Sequence, residues 1–171
     1  MPWYGYHPYL NEYIEEKGCR KIMEIGVYDG DNAINMIKAA IKNSPPKDVE
    51  YYGFDFFRRY TIDQIAKKLE QTGCNFELFQ GNTLDTLPKA VKNLPKMDII
   101  FIDGGKSLQE ATNDWESSAK LMHRDTGLFV HNSGFSGVRR MIEGISRENW
   151  KVESFNPPGE GSVTYIKMKV K

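Results

Sequence analysis

The chain has 171 residues, 23 basic and 23 acidic side chains, and 40% hydrophobic content. That length suits one domain, residues 1–171, with a single buried core, and the balanced charge argues against partners that need a global field, nucleic acid or an anionic membrane. No apolar stretch approaches the roughly 20 residues of a membrane span. Met1–Pro8 lacks the basic and apolar regions of a signal peptide. Cys19 and Cys74 stand far apart in no metal-ligand spacing, so free thiols in a reducing cytoplasm are expected.

The chain opens on an aromatic leader, Trp3-Tyr4-Gly5-Tyr6-His7-Pro8-Tyr9-Leu10, read either as a lid over a ligand or as rings packed on a sheet edge or a partner subunit. Strands and helices then alternate. Apolar runs near 21–26, 50–55, 75–80, 97–102 and 126–131 predict strands, and amphipathic stretches near 31–43, 60–72, 83–93, 107–122 and 135–148 predict helices. Turn signals separate them at Asn43-Ser44-Pro45-Pro46, Thr72-Gly73, Leu94-Pro95 and Asp125-Thr126-Gly127. This alternation predicts right-handed βαβ crossovers. After residue 150 the rhythm changes: runs at 149–155 and 162–170 flank Asn156-Pro157-Pro158-Gly159-Glu160-Gly161-Ser162 with no helix between them. That pattern predicts an antiparallel terminal hairpin. Lys167, Lys169 and Lys171 alternate with Ile166, Met168 and Val170 as the solvent face of its last strand. The fold class expected is α/β, a Rossmann-like doubly wound and mostly parallel seven-stranded sheet closed by a C-terminal hairpin.

The densest signal is Ile22-Met23-Glu24-Ile25-Gly26-Val27-Tyr28-Asp29-Gly30-Asp31-Asn32, an apolar run that breaks into a glycine-spaced turn and then a helix. Glycines there permit a tight turn and close backbone approach to a ligand. A carboxylate, Asp55, ends the next strand, Tyr51-Tyr52-Gly53-Phe54-Asp55, at the edge where doubly wound sheets bind nucleotides. The pattern Glu24-x-Gly26-x-x-x-Gly30 resembles motif I of the class I methyltransferases that use S-adenosylmethionine (SAM). It departs from the dinucleotide pattern Gly-x-Gly-x-x-Gly, since Tyr28 stands at the second glycine. The resemblance implies a SAM site under Glu24, Gly26, Tyr28 and Gly30, with Asp55 on the ribose hydroxyls. Phe56-Phe57-Arg58-Arg59-Tyr60, right after Asp55, reads either as flanking the adenine through Phe56 or as a loop anchored by its two phenylalanines. It also covers the sheet with its terminal hairpin.

Asn82, after the third strand, falls where methyltransferases read the adenine, and it is equally placed to cap the next helix. The fourth strand runs into Asp103-Gly104-Gly105, a charge that such an apolar run carries only toward a cleft. Phe101-Ile102-Asp103-Gly104 resembles the Phe-Ile-Asp-Gly-x-His motif of a small-molecule methyltransferase subgroup, with Lys106 in place of the histidine and Asp114-Trp115 continuing the match. The fifth strand ends His131-Asn132 where catechol and caffeoyl-CoA O-methyltransferases carry Asp-Asn. In those enzymes this pair and the fourth-strand aspartate bind a divalent cation, which makes Asp103, His131 and Asn132 the candidate metal set here. Imidazole in place of carboxylate moves the preference from Mg²⁺ toward later transition metals, or the metal is gone.

Asp103, Lys106 and His131 are the candidate catalytic residues. Lys106 sits where the catechol enzymes carry a proton-accepting lysine, and it also reads as a solvated helix-start lysine. His131 is a general base or a hydrogen-bonded strand-end residue. The function implied is methyl transfer from SAM to a small-molecule acceptor, most naturally at oxygen, with no nucleic-acid or membrane partner; a chain this close to a bare catalytic core favours either a compact acceptor or a site completed by a homo-dimer. The alternative is a SAM- or nucleotide-binding module without catalysis. A nicotinamide-dependent oxidoreductase is disfavoured by Tyr28 and the terminal hairpin.

Overall fold

A computed structural model describes residues 6–170. Trp3, Tyr4 and Gly5 of the aromatic leader, and Lys171, lie outside the described residues. Contacts divide the chain into two compact units, Met1–Gly81 and Asn82–Lys171. The strand order of the seven-stranded sheet is β3-β2-β1-β4-β5-β7-β6, the mixed Rossmann-like arrangement expected from the sequence.

The first unit contains α1 (Pro8–Lys17), β1 (Lys21–Ile25), α2 (Asp31–Ile41), β2 (Glu50–Asp55), α3 (Ile62–Glu70) and β3 (Asn75–Gln80). Its strands pair in parallel, Ile25 beside Phe54 and Asp55 beside Gln80, so β1 and β2 end together. The core is Ile22, Met23 and Ile25 of β1 with Tyr51 and Phe54 of β2, covered by Leu10, Ile14, Met36, Ile37, Ile65 and Leu69. Removing such side chains from water is the main stabilising term. Helix α1 was not foreseen, yet its logic is local. Pro8 occupies the first turn, Leu10 and Ile14 share one buried face, and Gly18 closes the helix at φ 64°. Helix α3 begins with a capping box in which Thr61 and Gln64 satisfy each other's backbone N–H.

The second unit contains α4 (Thr83–Ala90), β4 (Met97–Ile102), α5 (Leu108–Ala119), β5 (Met122–Val130), α6 (Ser136–Glu143), β6 (Trp150–Phe155) and β7 (Val163–Met168). β4 and β5 are parallel, whereas β7 runs antiparallel to both β5 and β6. The predicted hairpin is therefore present. Ile99, Ile100, Phe101, Leu128, Phe129, Val130, Val138, Met141 and Ile166 are buried in its core, and Trp115 meets Trp150 edge-on at 5.0 Å.

Two boundaries differ from the sequence reading. β5 begins at Met122 rather than near 126, because its register on β4 shifts between Met97 and Ile99 and takes up Asp125-Thr126-Gly127 as an irregularity. Thr126 secures this point, its hydroxyl donating to the Met97 carbonyl at 2.5 Å and accepting from the His123 N–H at 2.9 Å. Helix α6 stops at Glu143, since Gly144 follows and Arg147 donates to the freed carbonyls of Ile142 and Ile145. Among the described residues no helix is long and apolar enough to cross a membrane, and Cys19 and Cys74 are buried and form no disulfide.

Candidate active site

In the first unit, the turn after β1 is shaped by the main chain and fastened by one carboxylate. The Gly26 N–H donates to the Phe54 carbonyl at 2.8 Å, carrying the ladder one residue past the strand. Gly26 then takes φ 91°, a conformation that any Cβ would strain. Asp55 Oδ2 accepts from the N–H groups of Val27 (2.8 Å) and Tyr28 (2.9 Å), and Oδ1 accepts from the Phe57 N–H at 2.8 Å. One side chain thus ties the turns after β1 and β2 together. Tyr28 and Phe57 both hold positive φ, 54° and 52°, without being glycine. Strain of this kind persists where surrounding contacts over-determine it. For Tyr28 those contacts include the Tyr60 ring, edge-on at 5.1 Å, with the Arg59 guanidinium 5.7 Å from the Tyr28 ring.

Glu24 lies beneath this turn, 1% exposed. It accepts from Asn32 Nδ2 at 2.7 Å and from the Tyr51 hydroxyl. Burial, with the neighbouring Glu24 charge, raises the Tyr51 phenol well above its ordinary pKa and keeps it a donor. A carboxylate sealed in this way supports the turn and the start of α2 from inside and presents nothing to a ligand. Gly30, at φ 81°, opens α2, and Phe56 is exposed on the rim with the Arg58 guanidinium 4.3 Å from its ring centre.

In the second unit the candidate residues are side chains. Asn82 caps α4, its Oδ1 accepting from the Leu84 N–H at 3.0 Å. Asp103 follows β4 directly, and Lys106 stands one residue before the Ser107–Glu110 capping box that starts α5. That turn is pressed against α6: a Cβ on Gly137 would lie 2.2 Å from the Lys106 carbonyl oxygen. Lys106 Nζ donates to Asp103 Oδ1 at 2.8 Å, and His131 Nδ1 lies 3.3 Å from the same oxygen. His131 Nε2 meets Glu160 Oε2 at 3.2 Å. Asn132, after β5, holds φ 55°.

The electrostatics follow from these contacts. Burial alone would raise Asp103, but the His131 hydrogen bond and the Lys106 charge outweigh it and bring its pKa below the ordinary carboxylate value. Burial likewise opposes charge on His131, and the hydrogen bond and charge of Asp103, with the Glu160 charge, turn the balance and raise its pKa. These partners favour the charged imidazolium over the neutral ring relative to a free imidazole. Nor does this arrangement fit a hard divalent cation on the Asp103, His131 and Asn132 set. An ammonium already occupies Asp103 Oδ1, both ring nitrogens of His131 face carboxylates, and Mg²⁺ requires several oxygen donors in near-octahedral geometry.

The sequence reading missed Glu160, which lies 29 residues beyond His131 in the hairpin loop. No local pattern marks it. It also missed the burial of Asp114, whose carboxyl is pushed up to about 6, first by burial, while Asn113 Nδ2 donates to it at 3.2 Å.

A glycine turn fastened by a strand-end acid, on a Rossmann-like sheet closed by an antiparallel hairpin, defines a methyltransferase-type α/β protein. A family profile described as a methyltransferase domain matches residues 23–133, and the chain belongs to that family. Among solved structures, the chain is similar to the O-methyltransferase TomG from Streptomyces achromogenes in complex with SAM, at 21% identity and TM-score 0.76 over 95% of this chain and 78% of that one. It is similar to an O-methyltransferase from Bacillus cereus in complex with S-adenosylhomocysteine (SAH), at 20% identity and TM-score 0.80 over 94% and 79%. The SAH-bound methyltransferase PaMTH1 of Podospora anserina aligns at 15% identity and TM-score 0.71 over 95% and 77%. No curated protein matches the chain.

Proposed function

We propose that this chain transfers the methyl group of SAM to an oxygen of a small-molecule acceptor. The observation that carries the reading is Asp55, whose carboxylate gathers three main-chain N–H groups from two strand-end turns. A carboxylate offers about four acceptor positions, so the three amides leave room for about one ribose hydroxyl rather than a bidentate pair. Gly26, Tyr28 and Gly30 would line the methionine and ribose, Phe56 would flank the adenine, and Asn82 would offer its amide nitrogen to the base while its oxygen caps α4. The neighbours named above are complexes with SAM and with SAH, which supports the same donor here.

The sulfonium of SAM is already activated, so alignment and exclusion of water supply much of the rate. The acceptor hydroxyl must also lose its proton. Lys106 and His131, both held by Asp103, stabilise the oxyanion as it forms, and the proton leaves to solvent. Preorganised charge of this kind is often the largest single contribution to catalysis.

The test is methyl transfer from radiolabelled SAM to a panel of small phenols, alcohols, amines and carboxylic acids, with Asp103→Asn as control. Turnover on hydroxylated acceptors, lowered by about 10²-fold or more in Asp103→Asn, is the expected result. SAH binding without turnover on any acceptor would make the chain a binding module instead.

A further inference from the structure

We infer that Glu160, carried by the loop between β6 and β7, is the positioning residue of this site, clamping the His131 ring against Asp103 so that Lys106 and His131 are held together over the acceptor oxygen. The inference rests on the reading of Asp103, Lys106 and His131 as the acceptor-side chemistry. Its ground is geometric. Asn156, Pro158, Gly159 and Gly161 of the loop are all exposed, yet the Glu160 side chain is turned inward and only 10% exposed. Burying a carboxylate at a loop tip is costly unless a counter-charge receives it. The counter-charge here is His131, 3.2 Å away and itself 14% exposed.

The loop is fastened so that this approach is preset. The Ser133 N–H donates to the Ser162 carbonyl at 2.9 Å, and the Ser133 hydroxyl donates to the Ser162 hydroxyl at 2.8 Å. The Glu160 N–H closes a turn onto the Pro157 carbonyl at 3.1 Å. These contacts bind the residues beside Glu160 to the residues beside His131, at the end of β5. On its other side the ring faces Asp103 Oδ1 at 3.3 Å, and that oxygen also receives Lys106 at 2.8 Å. The Asp103 carboxylate holds Nδ1 by a hydrogen bond and the Glu160 carboxylate lies 3.2 Å from Nε2 as a counter-charge, so the ring is held between two carboxylates. Glu160 thus acts on Lys106 through His131 and Asp103 without reaching it.

The experiment compares the full chain with Glu160→Gln and Glu160→Asp. Its first readout is the imidazole nitrogen NMR spectrum, tractable because the chain has only three histidines. In Glu160→Gln the His131 resonances move while those of His123, paired with Asp98, stay in place. The second readout is kinetic. Glu160→Gln lowers kcat at least about tenfold with SAH affinity and acceptor KM nearly unchanged, and Glu160→Asp recovers part of the loss. Unchanged His131 resonances in Glu160→Gln, or an unchanged kcat in a turning-over enzyme, would overturn the inference. The NMR readout needs no turnover, so a failure of the methyltransferase reading appears separately, as absent SAH binding or as SAH binding without turnover on any acceptor.

Discussion

The two units build function by different means. In the first, the cradle is main chain: a glycine at φ 91°, two non-glycine residues at positive φ, and one carboxylate holding three backbone amides. In the second, the chemistry is a file of side-chain charges, Lys106, Asp103, His131 and Glu160. A ligand shared by a whole family is served by shape, and backbone shape survives wide sequence change. A charged side chain is exchanged by a single substitution, and Lys106, Asp103, His131 and Glu160 are each open to that. Changes in the first unit should therefore act through conformation and be nearly pH-independent near neutrality. Changes in the second should act through charge and vary with pH.

The largest effect expected is from Gly26→Val, where a β-branched residue at φ 91° carries roughly 2–3 kcal/mol of strain and its side chain enters the cradle. Calorimetry should show SAH binding abolished, with the second unit's histidine spectrum unchanged. Asp55→Ala comes next. It leaves three N–H groups without their acceptor and should lower stability by about 3 kcal/mol in denaturant unfolding, with a parallel loss of SAH affinity and no pH dependence between 6 and 8.

Asp114→Asn should do the reverse and stabilise the protein. The folded carboxyl titrates at about 6 because it is buried, against an ordinary 3.8. Its contribution is fully favourable below 3.8 and is lost as pH rises through 6, a difference of at most about 3 kcal/mol. The variant should gain stability over the parent at pH 7 and show no gain at pH 3.5, measured as unfolding midpoints. His131→Gln is a finer test. The raised pKa of His131 means that its stabilising contribution is present below 6.5 and lost as pH rises through the folded value. Asp103, lowered, contributes above 3.8 and loses its share as pH falls through its own folded value. His131→Gln should flatten the alkaline fall of the parent's stability and leave Tyr51, protonated throughout this range, without influence. The smallest effect belongs to Tyr28→Gly. Relief of about 1 kcal/mol of left-handed strain is offset by a lost aromatic contact worth about as much, so thermal unfolding should move by only a few degrees.

Much of the fold was legible because parallel strands buried on both faces read as unbroken apolar runs, as Ile99-Ile100-Phe101-Ile102 does. Helix α1 was not, because its buried stripe is only Leu10 and Ile14, too short for a clear helical period, although Pro8 and Gly18 mark both ends. The start of β5 was obscured by Thr126, whose turn-like neighbours lie inside an irregular strand. The positions of Asp55, Asp103, Lys106 and His131 could be read from strand ends, since topology fixes where a strand's last residue emerges. Their partners could not. That Asp55 faces backbone amides, that Glu24 is sealed under Tyr51 and Asn32, and that Glu160 reaches His131 are all consequences of tertiary packing between residues far apart in sequence.

Titration calorimetry of the full chain with SAH, and separately with NAD, tests the central claim most directly. SAH should bind in about the micromolar range, markedly more weakly to Asp55→Ala and without change in Glu160→Gln, and NAD should give no heat. Heat from NAD with none from SAH would contradict the account.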